Sequence, residues 1–210
     1  MSEQLHEDLV PYLSEMSNGW KILQHPLVYA VPFFGDDFQT KQVNAMYAYK
    51  REAIIKAERE CDYPRMVAMY ERPYRIEVVK QFGDDMEPAQ YWEVVRDVWT
   101  DSENIYQNID TWREILEPAV GIDPFNTLSE LPDTITVYRG GTPDGFSWTR
   151  KRDTAEWFAR RFRDEGNYLP VWEIEIPKSR AIAYLIDRGE EEIVWIPQDD
   201  ELQRMIQHSI

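Results

Sequence analysis

The chain has 210 residues and a formal net charge of -16 at pH 7. Its hydrophobic content of 43% and its eight tryptophans predict a packed globular protein rather than a disordered one, because this much apolar surface can fill a core. The length suits one domain, or a small domain with a helical companion. The negative charge disfavours nucleic-acid phosphates as partners and favours a protein with a basic surface.

Cysteine and histidine are too sparse for a disulfide framework or a metal site. Cys61 is the single cysteine, and His6, His25 and His208 are far apart in the chain. Residues 1–13 contain neither a basic segment nor an apolar run, so we expect no signal peptide. No stretch approaches the ~20 apolar residues of a membrane-spanning helix. We therefore expect a cytoplasmic protein that binds neither a metal nor a membrane.

Residues 1–125 are predicted to be mainly helical, because apolar residues recur there at helical spacing. The recurring residues are Val43, Met46, Tyr47, Ile54 and Ile55, and then Trp92, Val95 and Trp99. Breaks are expected at 31–37, 61–65 and 83–88, where proline or glycine stands among acidic residues. The helical period fades between Pro118 and Pro132, so we place a domain boundary between residues 125 and 126.

Residues 126–210 show a different pattern, with short apolar runs rich in β-branched residues. These runs predict strands at 134–139, 171–176, 181–186 and 192–196. One helix is expected among them, because Asp153 and Glu156 have the spacing of a capping box and an apolar stripe follows. The stripe consists of Ala155, Phe158, Ala159 and Phe162. Strands and helices do not alternate regularly, which predicts an α+β domain with the helix packed on the sheet.

Three short segments of this second region carry polar residues in a suggestive order. They are Val137-Tyr138-Arg139-Gly140 at the end of the first strand, Gly145-Phe146-Ser147-Trp148-Thr149 before the helix, and Gly189-Glu190-Glu191-Glu192-Ile193-Val194-Trp195 at a later strand. Each segment alone has an ordinary explanation, as a surface ion pair, a helix cap or a solvated edge. Together they resemble the arginine, Ser-Thr-Ser-like and Glu-x-Glu motifs of the arginine-type mono-ADP-ribosyltransferases, a family that includes bacterial exotoxins and phage-encoded enzymes.

The resemblance covers residues 134–197 and implies both a fold and a set of roles. The fold would be the split β-sheet core of that family, preceded here by the mainly helical region, and the substrate would be NAD. The implied roles are Arg139, with Gly140 beside it, for the NAD phosphate and ribose region, Ser147 and Thr149 for bracing the nicotinamide pocket, Glu192 as the catalytic carboxylate, and Glu190 for engaging the acceptor.

The chemistry of the reaction needs these residue types for its own reasons. A planar guanidinium such as that of Arg139 suits a pyrophosphate. Cleavage of the nicotinamide bond passes through an oxocarbenium-like ribose, which a carboxylate such as Glu192 stabilises. Positions 190 and 192 of a strand share one face, so we expect both carboxylates to address one cleft while Glu191 points away. Glu190 can then pair with a guanidinium acceptor and take its proton.

Four further features of the region bear on this interpretation. Trp148 replaces a smaller residue of the family motif, and is either a stacking wall for nicotinamide or a core aromatic. The loop 163–170 is expected to cover the cofactor, with Tyr168 as a candidate to stack on it. The short loop 187–189 leaves little room for acceptor recognition. A basic cluster either solvates the helix or attracts NAD phosphates or an RNA-bearing target. Its members are Arg150, Lys151, Arg152, Arg160, Arg161 and Arg163.

The predicted function is therefore transfer of ADP-ribose from NAD to a protein side chain, arginine by the resemblance, with release of nicotinamide. It would take place in the cytoplasm, or in that of the host if the protein is phage-encoded. Alternatives are an NAD glycohydrolase that uses Arg139 and Glu192 with water, and a non-enzymatic acidic interaction protein with a degenerate core. A nucleic-acid acceptor is disfavoured by the charge. Branches of the fold that place histidine at position 139 are also disfavoured, since no histidine lies between His25 and His208. The region 1–125 would support the NAD cleft or dock the target.

Overall fold

The computed structural model describes residues 3–161, 163–164, 166–186 and 189–209. The chain divides into two compact units, Met1–Asn108 and Ile109–Ile210. The predicted boundary after residue 125 lies further along the chain, within the second unit. The reason is the helix Ile109–Leu116, which packs with the residues that follow it: the Arg113 guanidinium carbon lies 5.0 Å from the ring centre of Phe146.

The first unit opens with a 3-10 helix, Glu7–Tyr12, and continues with a small antiparallel sheet that was not predicted. Its strands are β1 (Leu13–Glu15), β2 (Lys21–His25) and β3 (Val28–Ala30), in that order across the sheet. Strands of three to five residues are too short to show a clear period of two. Leu23 of β2 is fully buried and packs in one core with Val43 and Tyr47 from the helix that follows.

Helices make up the rest of the first unit. They are α1 (Asp37–Arg59), α2 (Tyr63–Met69), α3 (Arg75–Phe82) and α4 (Pro88–Asp101). The helix starts have local causes: the Asp36 and Asp62 carboxylates accept backbone N–H bonds in the first turns of α1 and α2, at 2.8 and 3.2 Å. None of the helices in the described part of the chain is long and apolar enough to cross a membrane.

The second unit combines helices with a larger antiparallel sheet, and its α+β class agrees with the prediction. Its elements are α5 (Ile109–Leu116), β4 (Thr134–Gly140), β5 (Ser147–Thr149), α6 (Arg152–Arg160), β6 (Val171–Pro177), β7 (Ala183–Leu185), β8 (Glu192–Val194), α7 (Asp199–Leu202) and β9 (Ile206–His208). The strand order is β7-β8-β5-β4-β6-β9, and every neighbouring pair is antiparallel. The strands β5 and β9 were not predicted.

The register of β5 against β8 separates core residues from polar ones. Trp148 pairs with Ile193, and both are buried in the main core of the unit. Thr149 pairs with Glu192. Because side chains alternate between the faces of a sheet, Ser147, Thr149 and Glu192 lie on the face opposite to that core. The packing of the apolar residues thus directs the polar ones to one side.

The helix α6 starts differently from the prediction. It begins at Arg152 with Lys151 at the cap, and no side chain caps it, so the predicted capping box from Asp153 to Glu156 is wrong. Asp153 lies inside the first turn, where its charge favours the helix dipole instead. In the predicted apolar stripe, Ala155 and Ala159 are fully buried and Phe158 is half-buried, while Phe162 lies outside the described residues.

Gly140 allows α6 to lie directly on the end of β4. A Cβ at this position would lie 2.0 Å from the carbonyl oxygen of Ala155 and 2.6 Å from the backbone nitrogen of Ala159. These obstacles are backbone atoms of a helix, which cannot rotate away as a side chain can. Gly140 therefore has a packing role in the structure, and its place beside the NAD phosphate, implied by the resemblance, stays a prediction.

Gly140→Ala is expected to destabilise the protein by about 1–3 kcal/mol, because the new methyl group must push α6 away from β4. Urea denaturation followed by circular dichroism measures this. Gly145→Ala is the matched control, since the nearest atoms to a Cβ at position 145 belong to the side chain of Arg139 rather than to a backbone. Equal loss of stability in both variants would contradict the packing role.

Candidate active site

Arg139, Ser147 and Glu192 come from three different strands and meet in the structure. Arg139 Nη1 donates a hydrogen bond to the carbonyl oxygen of Ser147 at 2.5 Å. Ser147 Oγ donates one to Glu192 Oε1, also at 2.5 Å. All three residues are half-buried, so a solute can reach them while they remain partly shielded from water. The structure thus brings the principal predicted site residues together.

The guanidinium of Arg139 also organises the connection between β4 and β5. Its Nε donates to the carbonyl oxygen of Thr142 at 2.7 Å. A Cβ on Gly145 would lie 2.1 Å from Arg139 Nη2, so the guanidinium rests against a backbone that has no side chain there. No role was predicted for Gly145. A glycine shortly before a polar segment was the signal that a group approaches the backbone closely.

The prediction that Glu190 and Glu192 share a strand face is wrong. The strand β8 begins at Glu192, so Glu190 precedes it. Between them, Glu191 has a φ of +48°, in the left-handed region that side chains with a Cβ seldom adopt. The alternation of a strand therefore does not extend through the three glutamates. The position of half-buried Glu190 depends on its loop instead.

Thr149 holds the backbone of that loop. Its side chain is buried, and its Oγ1 donates to the carbonyl oxygen of Glu190 at 2.5 Å. Thr149 Oγ1 itself accepts the backbone N–H of Lys151 at 3.0 Å. Thr149 was predicted to brace the nicotinamide pocket. In the structure its hydroxyl is engaged by the protein, and it braces the segment next to Glu192.

Trp148 is a core residue, which corrects its assignment to the cofactor site. It is 1% exposed, and its ring stands edge-on to that of Trp195 with 5.0 Å between the centroids. Its Nε1 donates to the carbonyl oxygen of Gly145 at 2.8 Å. The physical reason is the alternation along β5, which turns Trp148 away from the face that carries Ser147 and Thr149.

Tyr168 lies beside the end of α6. The Arg160 guanidinium carbon is 5.8 Å from its ring centre, and the tyrosine is half-buried. Two residues later, the carbonyl oxygen of Pro170 accepts the backbone N–H of Gly141 at 3.0 Å, which ties this end of the loop to the end of β4. Stacking of Tyr168 on NAD stays a prediction. Within the predicted loop regions, Glu165, Asp187 and Arg188 lie outside the described residues.

Much of the predicted basic cluster is engaged in contacts within the protein. Arg152 and Arg160 both pair with Glu156, at 3.2 and 3.3 Å. Lys151 lies 3.3 Å from Glu191, and the Arg161 guanidinium carbon lies 5.1 Å from the ring centre of Trp157. These contacts are typical of a solvated helix face, and attraction of NAD phosphates or of an RNA-bearing target stays a prediction.

No group of three or more His, Cys, Asp or Glu side chains suited to a metal ion occurs among the described residues. Comparison with protein-family models, with curated proteins and with solved structures found no match for the chain. The site must therefore be interpreted from its own residues.

Proposed function

We propose that the protein is a mono-ADP-ribosyltransferase, which transfers ADP-ribose from NAD to a protein side chain and releases nicotinamide. The observation that carries the proposal is the hydrogen-bonded series Arg139–Ser147–Glu192. These residues belong to the three motifs that resemble the arginine-type family. Arg139 and Ser147 are eight residues apart, and Glu192 follows Ser147 by 45 residues. Arg139 bonds the backbone carbonyl of Ser147, whose hydroxyl bonds Glu192, and this series supports a common site.

Glu192 would act on the ribose. As the bond between the ribose and the nicotinamide nitrogen breaks, its electron pair leaves with nicotinamide and positive charge develops on the sugar. A carboxylate held at a fixed angle stabilises that charge without having to reorganise. The Ser147 hydroxyl supplies the fixed angle through its bond to Oε1. A carboxylate has about four acceptor positions, so a ribose hydroxyl can bind in addition.

Arg139 would bind the phosphates of NAD. Its bonds to the carbonyl oxygens of Thr142 and Ser147 fix the direction of the guanidinium. Binding of a phosphate is compatible with them, because the group carries five N–H donors in one plane. The same bonds connect the phosphate site mechanically to Ser147, and so to Glu192.

Glu190 would act on the acceptor. If the acceptor is an arginine side chain, a guanidinium nitrogen forms the new bond to the ribose carbon, and its proton passes to Glu190. The chain's charge of -16 fits an acceptor protein with a basic surface. The predicted role of the first unit, as a support or a docking lobe, stays a prediction.

An NAD glycohydrolase is the second candidate, and one observation favours it. Glu190 precedes β8 instead of sharing a strand face with Glu192, so a common cleft for both carboxylates does not follow from the strand. Water would then be the acceptor, and Arg139 and Glu192 would keep their roles.

Incubation with NAD labelled on its adenylate part distinguishes these candidates. Nicotinamide release and labelling of protein are measured side by side, with agmatine as a soluble guanidinium acceptor and an extract as a source of proteins. Release with labelling supports the transferase, and mass spectrometry then locates the modified residue. Release without a labelled acceptor identifies a glycohydrolase. The absence of both in the folded protein overturns the proposal.

Gly145→Ala tests whether the direction of the Arg139 guanidinium matters. The new methyl group would occupy the position of Nη2, so the guanidinium must turn away from Ser147. We expect nicotinamide release at limiting NAD to fall by about 10- to 100-fold, since a displacement of ~1 Å at a site has effects of this size. Thermal unfolding should remain close to that of the wild type. Unchanged turnover would mean that the guanidinium has no part in the reaction.

A further inference from the structure

The segment Gly189–Glu191, directly before Glu192, is held through its backbone by the segment Thr149–Lys151. The carbonyl oxygen of Glu190 accepts from Thr149 Oγ1 at 2.5 Å. That of Glu191 accepts from the backbone nitrogen of Arg150 at 3.1 Å. That of Gly189 accepts from Lys151 Nζ at 2.9 Å. Three consecutive carbonyl groups are thus bonded to three consecutive residues, and we call this arrangement the carbonyl clamp.

Lys151 contributes to the clamp in three ways. Besides its bond to Gly189, its Nζ lies 3.3 Å from Glu191 Oε1. Its backbone N–H donates to Thr149 Oγ1 at 3.0 Å. The Thr149 hydroxyl has a single proton. Because its oxygen accepts the N–H of Lys151, that proton is directed to another acceptor, which is the carbonyl oxygen of Glu190. The Lys151 side chain therefore acts on Gly189 and Glu191, while its backbone N–H acts on Thr149, the donor to Glu190.

The backbone of the segment needs such support. Glu191 has a φ of +48°, a conformation that is unfavourable for a residue with a Cβ. Gly189, at +69°, adopts a similar one without that cost. A conformation of this kind persists when the surroundings hold it. An exposed ion pair such as that of Lys151 with Glu191 contributes little stability by itself, so we attribute the support to the hydrogen bonds of the three carbonyl groups acting together.

We propose that Lys151 is a positioning residue, which fixes the Gly189–Glu191 segment and thereby sets Glu190 against the acceptor. Its use in catalysis rests on the proposed function. Glu192 begins β8, where it pairs with Thr149 and Leu185, so its backbone has support that is independent of Lys151. Loss of the lysine should therefore affect transfer to the acceptor more than cleavage of NAD.

The test compares Lys151→Met with Arg152→Met. The two side chains are adjacent and similarly exposed, at 46% and 44%, but Arg152 pairs only with Glu156 among the ion pairs described. Hydrogen exchange of the peptide spanning residues 186–193 is measured on the protein without substrate. Agmatine labelling and nicotinamide release are then measured on the same samples.

In Lys151→Met we expect faster exchange in this peptide and a fall of ~10-fold in the ratio of agmatine labelling to nicotinamide release. Lys151→Arg, which keeps a charged donor, should restore both, and Arg152→Met should change neither. Unchanged exchange in Lys151→Met would overturn the clamp, and faster exchange with an unchanged ratio would overturn its role in positioning. If the wild type neither releases nicotinamide nor labels agmatine, the proposed function fails, while the exchange measurement still decides whether Lys151 holds the segment.

Discussion

Glu192→Gln is expected to reduce both nicotinamide release and labelling of an acceptor by about 100- to 1,000-fold, the cost of removing one fixed electrostatic contact from a transition state. Glutamine has nearly the shape of glutamate and its amide oxygen can still accept the Ser147 hydroxyl. What is lost is the negative charge that opposes the developing charge on the ribose. Both activities fall together because both require the bond to nicotinamide to break.

Single-turnover measurement of nicotinamide release checks this result, with thermal unfolding as evidence that the fold is intact. Glu156→Gln is the matched control, because Glu156 is also a half-buried glutamate, and its contacts with Arg152 and Arg160 lie on α6 rather than at the site. We expect it to retain wild-type rates. A Glu192→Gln protein within about tenfold of the wild type would remove Glu192 from the reaction.

Glu190→Ala is expected to separate the two activities. Labelling of the acceptor should fall by about 100- to 10,000-fold, the usual contribution of a general base. Nicotinamide release should persist, since water still reaches the ribosyl cation that Glu192 stabilises. The clamp holds Glu190 through its backbone carbonyl, so removing its side chain leaves the bond from Thr149 in place.

Glu191→Ala provides the comparison for the neighbouring carboxylate. The Glu191 side chain faces Lys151 at 3.3 Å, so its loss should act on the acceptor step only through the clamp and with a smaller effect. Normal labelling in Glu190→Ala together with failure in Glu191→Ala would transfer the acceptor role to Glu191. Loss of both activities in Glu190→Ala would instead indicate that Glu190 and Glu192 act as a coupled pair.

Long apolar runs were the part of the fold that could be predicted. The strands β4 and β6 were predicted almost over their observed lengths, because seven residues contain enough repeats of the alternating pattern. The strand β5 has three residues and follows a glycine, so its segment resembled a loop. The strands of the first unit are also short and were missed. The strands β7 and β8 have three residues each but lie within the longer apolar runs 181–186 and 192–196, so they were predicted, with ends that only their partners define.

The amino-acid sequence by itself determined the residue types of the candidate site and the order of its three motifs. It placed Arg139 at the end of a strand, Ser147 before a helix and Glu192 at a later strand.

Tertiary structure decided which of them touch and which face each side chain takes. Pairing of β5 with β8 sends Trp148 into the core and directs Ser147 to Glu192. The left-handed backbone at Glu191 removes Glu190 from the strand face, and the hydrogen bonds from Thr149 and Lys151 that hold the segment come from a part of the chain about forty residues earlier. The physical reason is that side-chain direction depends on where a strand starts, and a strand starts where its hydrogen-bonded partner permits.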